Sequence, residues 1–283
     1  MRNYQNGQTQ NDQAAGLRRI MSAPKPRVVS ILSTDLSSSQ PRMMINLAAS
    51  IQTQGNQVLI MHASQHSRES QYALNKAASM YDICQQNAVL QKAIKVSPYG
   101  FSMVKLANKN QPSTIENRHQ LDANLLVKQL AEQYDIVLVD ASVNDEGLLA
   151  LPILNESEII IQLSRKPDSI KQAYALIKQV CGQLGRRSFG IIVDDANDAQ
   201  AQIVFRNIHQ VAKRYLQIEL EFFGAIPNDD QLSLATKLGR TVIDAFPLAL
   251  ASVAFTHIAK RIDDQFDAVS YTSITPFKQA SYR

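Results

Sequence analysis

Residues 33–41 read S-T-D-L-S-S-S-Q-P and stand between an apolar run and an amphipathic one, so 28–50 reads as strand, turn and helix. In an α/β protein the turn at the carboxyl end of the first strand is where phosphates bind, because helix N-terminal amides point at the ligand. A phosphate loop there needs glycines for close backbone approach, a lysine to neutralise charge, and a Ser/Thr hydroxyl for Mg²⁺. This turn has no glycine and no lysine, and it carries Asp35. Pro41 suits the first position of a helix.

Other chemistry-bearing residues fall at the ends of apolar runs. His62 and Ser64 follow a buried strand expected over 57–61, Asp140 ends the run D-I-V-L-V-D, and Asp194 follows F-G-I-I-V. A Ser–His pair invites a hydrolase reading, but no third orienting group is evident and side chains two apart on a strand do not make a triad. His62 and His66 are not joined by a Cys/Asp cluster of the kind that holds a metal. His62 and Ser64 are therefore expected to be polar loop residues, and Asp140 a polar helix-capping group. No catalytic residue and no metal site is assigned.

Strand and helix signals alternate from 28 to 263, which implies an α/β fold: a doubly wound, mostly parallel sheet flanked by helices. A helix is expected over 117–133, strands over 135–140, 158–163, 189–193 and 220–227, a helix over 203–216 and a last packing helix over 249–262. The expected organisation is a tail over 1–27, an α/β domain over 28–263 and a polar tail over 264–283. Two distant cysteines, Cys84 and Cys181, fit a reducing compartment without a disulfide framework. No apolar run approaches the roughly 20 residues of a membrane helix, and no signal-peptide pattern is evident. The expected location is the cytoplasm.

Of the 29 basic and 25 acidic side chains, residues 1–27 hold Arg2, Arg18, Arg19, Lys25 and Arg27 against Asp12 alone. The body is formally neutral, which argues against a broad nucleic-acid-binding face. Residues 1–11 are rich in Asn and Gln and read as disordered. Next comes D-Q-A-A-G-L-R-R-I-M, in which Leu17, Ile20 and Met21 fall at i, i+3 and i+4 on one helical face. So short a helix is marginal in water and is expected to fold on a partner or on its own domain. The stretch 263–283 contains Pro276 and lacks a sustained helical period, which argues against an amphipathic membrane anchor.

Several of these tracts resemble the MinD/ParA family of deviant P-loop ATPases. That family has S-G-K-G-G-V-G-K-T followed by a helix with N-L-A, and Asn46-Leu47-Ala48 fall in register without a gap. Thr34, Ser37 and Ser39 then stand at glycine positions. Asp35 replaces the signature lysine, Gln40 the P-loop lysine, and Pro41 the magnesium-binding threonine. His62 and Ser64 replace both aspartates of L-D-A-D, Asp140 matches the Walker B aspartate, and Asp194 stands where an asparagine lies near the adenine. Tyr174-Ala175-Leu176-Ile177-Lys178 and G-A-I-P-x-D at 224–229 match scaffold tracts.

The segment D-Q-A-A-G-L-R-R resembles the N-terminal motif of the FlhG/FleN family of flagellar number regulators, which are MinD-like. In that family this helix binds the signal-recognition-type GTPase FlhF and stimulates its hydrolysis. The resemblance implies that Gln13 is the key polar contact, with Asp12, Leu17, Arg18 and Arg19 completing the docking surface. Charge-assisted hydrogen bonds contribute about 1.5–3 kcal/mol each, so losing two lysines and gaining Asp35 should weaken ATP by several orders of magnitude. The expectation is a pseudo-ATPase regulator of flagellar placement or number, polar only through a partner. It needs no cofactor; ATP and Mg²⁺ enter only if the altered loop still works. The alternatives are an active ATP-dependent switch, an interaction module for a flagellar transcription activator or C-ring component, and a ParA-type nucleic-acid binder.

Overall fold

The computed structural model describes residues 27–34, 39–64, 69–86, 88–108 and 117–272, with side chains left aside at 117–120 and 265–272. The expected segment with Asp12, Gln13, Leu17, Arg18 and Arg19 lies outside these residues, as do Asp35, Ser37 and His66.

Eight strands form one sheet in the order β3-β4-β2-β5-β1-β6-β7-β8. They are β1 Arg27–Ser33, β2 Val58–His62, β3 Lys95–Val96, β4 Ser102–Lys105, β5 Ile136–Ala141, β6 Glu158–Ser164, β7 Phe189–Asp194 and β8 Leu220–Ile226. All neighbours pair in parallel except β3 and β4. The edge strand β3 was not read from the sequence: its two residues, Lys95 and Val96, are exposed and too few to make an apolar run.

β2 and β5 are buried along their whole length, as strands covered on both faces must be, and so read as continuous apolar runs. Alternate side chains feed two cores. Val137 and Val139 join one core with α3 (Asn117–Ala131), α4 (Pro167–Leu184) and α5 (Asp198–Leu216). Ile136 and Leu138 join the other with α1 (Ser39–Thr53), α6 (Asp230–Lys237), α7 (Val242–Ala245) and α8 (Leu250–Thr272). Among the described residues α2 is Met80–Gln86. Ile262 is fully buried, and the backbone helix of α8 continues to Thr272, ten residues past the end read from the apolar pattern.

Local chemistry sets several boundaries. α5 starts at Asp198 rather than near Ile203 because Asn197 and Gln200 form a reciprocal capping box. In β8, Gly224 sits at φ +154° beside a register shift against β7, and a Cβ there would meet Ile258 of α8 at 2.6 Å. Glycine is needed there for the sheet to approach α8.

Two residues of the scaffold tracts tie helices together. Asn46 Oδ1 accepts from the Val242 amide at 2.7 Å, joining α1 to α7. Asp229 accepts from Gln231 N at 2.8 Å and from Ala251 N at 2.9 Å, so one carboxylate caps α6 and supports the first turn of α8.

Candidate functional site

β1 has β5 on one side and β6 on the other, so consecutive connections leave in opposite directions around it. The crevice outside the carboxyl ends of the strands at such a point is where open α/β sheets bind ligands. Of the residues read from the sequence as a nucleotide site, those among the described residues gather there, on both flanks of β1.

At the end of β1, Thr34 is buried. Its amide donates to Gln162 O at 3.1 Å, and its hydroxyl lies 2.6 Å from Ser169 Oγ, which in turn accepts from the Ser164 amide. Ser39 opens α1 and lines the cleft described below. Gln40 is buried, and its Nε2 donates to Ile31 O at 2.8 Å, so that end of the side chain is turned back onto β1. Pro41 is buried in the first turn of α1 and has neither hydroxyl nor amide hydrogen to offer. Ser39, Gln40 and Pro41, read from the sequence as standing at a glycine, a lysine and a threonine position, therefore present a hydroxyl, a neutral amide and a ring.

On the β2–β5 flank, His62 Nδ1 and Asp140 Oδ2 lie 2.9 Å apart. The imidazole is 3% exposed and the carboxylate 0%. The Tyr72 ring stands 5.5 Å from the imidazole. Two expectations are corrected here. His62 is the final residue of β2, not a loop residue, because the strand ends one position later than its apolar run. The Asp140 carboxylate is bonded to His62. The orienting group missing from the Ser–His reading also exists, since Asp140 holds the imidazole. Among the described residues, however, no hydroxyl meets Nε2. Ser64 lies half-buried just beyond β2.

The signal that could have found this pair is register. His62 and Asp140 are paired positions of adjacent parallel strands, and each stands at the polar end of an apolar run.

On the β6–β8 flank, a cleft of about 210 Å³ is lined by Ser39, Arg42, Lys166, Asp194, Asp195 and Asp229, among others. Asp194 accepts from Gln162 Nε2 at 3.0 Å and from the Asp195 amide at 2.9 Å. Burial pushes its pKa up from the ordinary carboxylate value, against the opposing pull of Arg42 and of these hydrogen bonds. Gln162 Oε1 is buried without a partner. Sequence reasoning missed Arg42, Lys166 and Gln162. Arg42 directly follows the loop at 33–41, Lys166 lies three residues past the strand expected over 158–163, and Gln162 is a polar residue inside a buried strand.

Among the described residues no three His, Cys, Asp or Glu side chains converge as a metal-holding group. Among those same residues no helix is long and apolar enough to cross a membrane.

No family model matches the chain. It is 23% identical over 252 residues to the antiactivator FleN of Pseudomonas aeruginosa, covering 87% of this chain and 90% of that one. It is 21% identical over 245 residues to the septum site-determining protein MinD of Synechocystis, covering 84% and 90%. Among solved structures, the MinD cell division protein of Aquifex aeolicus superposes with a TM-score of 0.62 at 19% identity, covering 84% of this chain and 97% of that one. The chain therefore has the fold of the MinD/ParA P-loop NTPases, and in sequence it resembles FleN and MinD over most of its length.

Proposed function

We propose that this chain is a FlhG/MinD-like regulator that works as a pseudo-ATPase: it keeps the scaffold and acts by binding partners rather than by turning over ATP. The observation that carries the regulator reading is the match to FleN along 90% of that protein. The pseudo-ATPase reading is supported by the side chains at the phosphate-loop positions. Gln40 Nε2 bonds to the carbonyl of Ile31, Pro41 has no hydroxyl, and Asp140 is paired with His62.

The partner reading rests on sequence. D-Q-A-A-G-L-R-R precedes the first strand, as in FlhG relatives, and FlhF is the GTPase it would engage through Gln13 and its neighbours. The test is GTP turnover by FlhF with the full chain and with a chain lacking residues 1–22, alongside calorimetry with Mg-ATP. Stimulation that needs the N-terminal segment, with no ATP heat, is the expected result. Tight Mg-ATP binding would overturn the pseudo-ATPase reading.

A second partner class has its own support. The FleN relative is an antiactivator, so a flagellar transcription activator is the other candidate. Its binding should survive deletion of residues 1–22.

A further inference from the structure

The row of residues that contains the His62–Asp140 pair continues one strand further. β2 pairs with β4 so that His62 stands opposite Lys105, and with β5 so that His62 stands opposite Asp140. Lys105, His62 and Asp140 thus occupy one level on three adjacent strands, about 4.8 Å apart from strand to strand. Alternation places all three on the same face of the sheet, because Met103, Ile60 and Leu138, two residues earlier in each strand, share one core.

Lys105 is 3% exposed, as is His62. Among the described residues no acceptor lies within hydrogen-bond distance of Lys105 Nζ, and none meets His62 Nε2. Lysine is almost never so buried without a counter-charge. Asp140, the carboxylate on this row, is bonded to Nδ1 of the intervening imidazole. That bond fixes the ring and leaves Nε2 as its remaining polar atom.

We infer that Lys105 and His62 form a binding site for a single phosphate-type oxyanion, with Asp140 as the positioning residue behind His62. An ammonium brings three donors and a point charge, and an imidazole whose Nδ1 is held by a carboxylate turns its other ring nitrogen, Nε2, toward a further polar partner. Together they match a small tetrahedral anion carrying several acceptor oxygens. The site lies at the carboxyl ends of parallel strands, where this class of fold binds ligands. It is independent of the partner reading, and it puts a histidine at a strand end where the MinD/ParA pattern has an aspartate. The same chemistry serves free phosphate or the terminal phosphate of a larger molecule.

The experiment is a thermal-shift and calorimetric titration of the full chain. The probes are inorganic phosphate and, separately, metal-free ATP, each against chloride at matched ionic strength. Saturable stabilisation by inorganic phosphate assigns the site to the free ion. Saturation by metal-free ATP alone, abolished with Lys105, assigns it to a phosphate group on a larger molecule. Lys105→Met keeps the length of the side chain and should weaken binding by roughly tenfold or more, the loss of one charge-assisted contact. Its melting temperature without added anion should be no lower than that of the parent. Lys105→Arg should retain part of the affinity. In the parent, the His62 imidazole resonances should move with anion occupancy. Absence of saturable binding by both probes, or equal affinity in Lys105→Met, would overturn the assignment.

Discussion

On the β4–β2–β5 side of β1, ionisable groups are shut away at strand ends, with Asp140 bonded to His62 at 2.9 Å and Lys105 beside them. On the β6–β7–β8 side, Arg42, Lys166, Asp194 and Asp229 line a cleft of about 210 Å³. Both flanks are built from parallel strands of one sheet, so the backbone does not distinguish them. The difference comes from which side chain ends each strand. A histidine facing an aspartate closes one flank by pairing. Carboxylates that take their hydrogen bonds from amides leave the other flank open. The fold tolerates either solution because its stability lies in the two apolar cores beneath.

The largest expected effect comes from breaking the closed flank. His62→Leu takes the imidazole away from the buried Asp140 carboxylate, and removing the partner of such a group costs about 3 kcal/mol. Urea unfolding should show that loss, and His62→Leu combined with Asp140→Leu should recover much of it. If the single variant is as stable as the parent, the pair is not a structural unit.

The open flank depends on its rim. Asp229 holds two helix starts, so Asp229→Ala should cost roughly 2–3 kcal/mol, about one ordinary cap for each helix. The loss should appear as earlier urea unfolding, with faster hydrogen exchange at Gln231 and Ala251. An effect confined to one of these amides would assign the carboxylate to one helix only.

Asp194 separates the flanks by pH. Burial holds its folded pKa above the unfolded value. Such a carboxyl adds stability below the unfolded carboxylate range, and the contribution is lost as pH rises through the folded value. Asp194→Asn removes that loss, with the Gln162 amide turned over so that Oε1 accepts from the new side chain. The variant should exceed the parent by roughly 0.5–1 kcal/mol at neutral pH. The gap should close towards about pH 4, where the parent carboxyl is protonated. A variant less stable than the parent at neutral pH would mean that the Arg42 attraction outweighs burial.

The same contrast explains what could be read from the sequence. The strands of the sheet centre were legible, since D-I-V-L-V-D and its neighbours are apolar runs that only a doubly covered sheet accommodates. Asn46 and Asp229 stood out as motif residues, although their bonds to distant amides were not visible. The charged row was missed for a different reason. Burial of Lys105 depends on the pairing of β2 with β4, from distant parts of the chain, and on cover from elsewhere in the fold. Likewise, the His62–Asp140 bond spans 78 residues of sequence. Local periodicity carries no information about which strand ends meet.

The smallest expected effect is a null one. Consider the loop with glycine at Thr34, Ser37 and Ser39, lysine at Asp35 and Gln40, and threonine at Pro41. Such a variant restores the phosphate-loop residue types and frees the Ile31 carbonyl from Gln40. It leaves Asp140 bonded to His62 and leaves Ser64 in place of an acidic group. Orienting an attacking water needs a carboxylate acceptor within hydrogen-bond reach, and β2 still ends without one. ATP turnover, read as phosphate release, should therefore stay at background even if nucleotide affinity rises. Adding His62→Asp and Ser64→Asp to the same variant changes the chemistry of the closed flank as well. Turnover appearing only with that addition would locate the lost function on the β2–β5 side of β1, whereas turnover from the loop changes alone would place it in the loop.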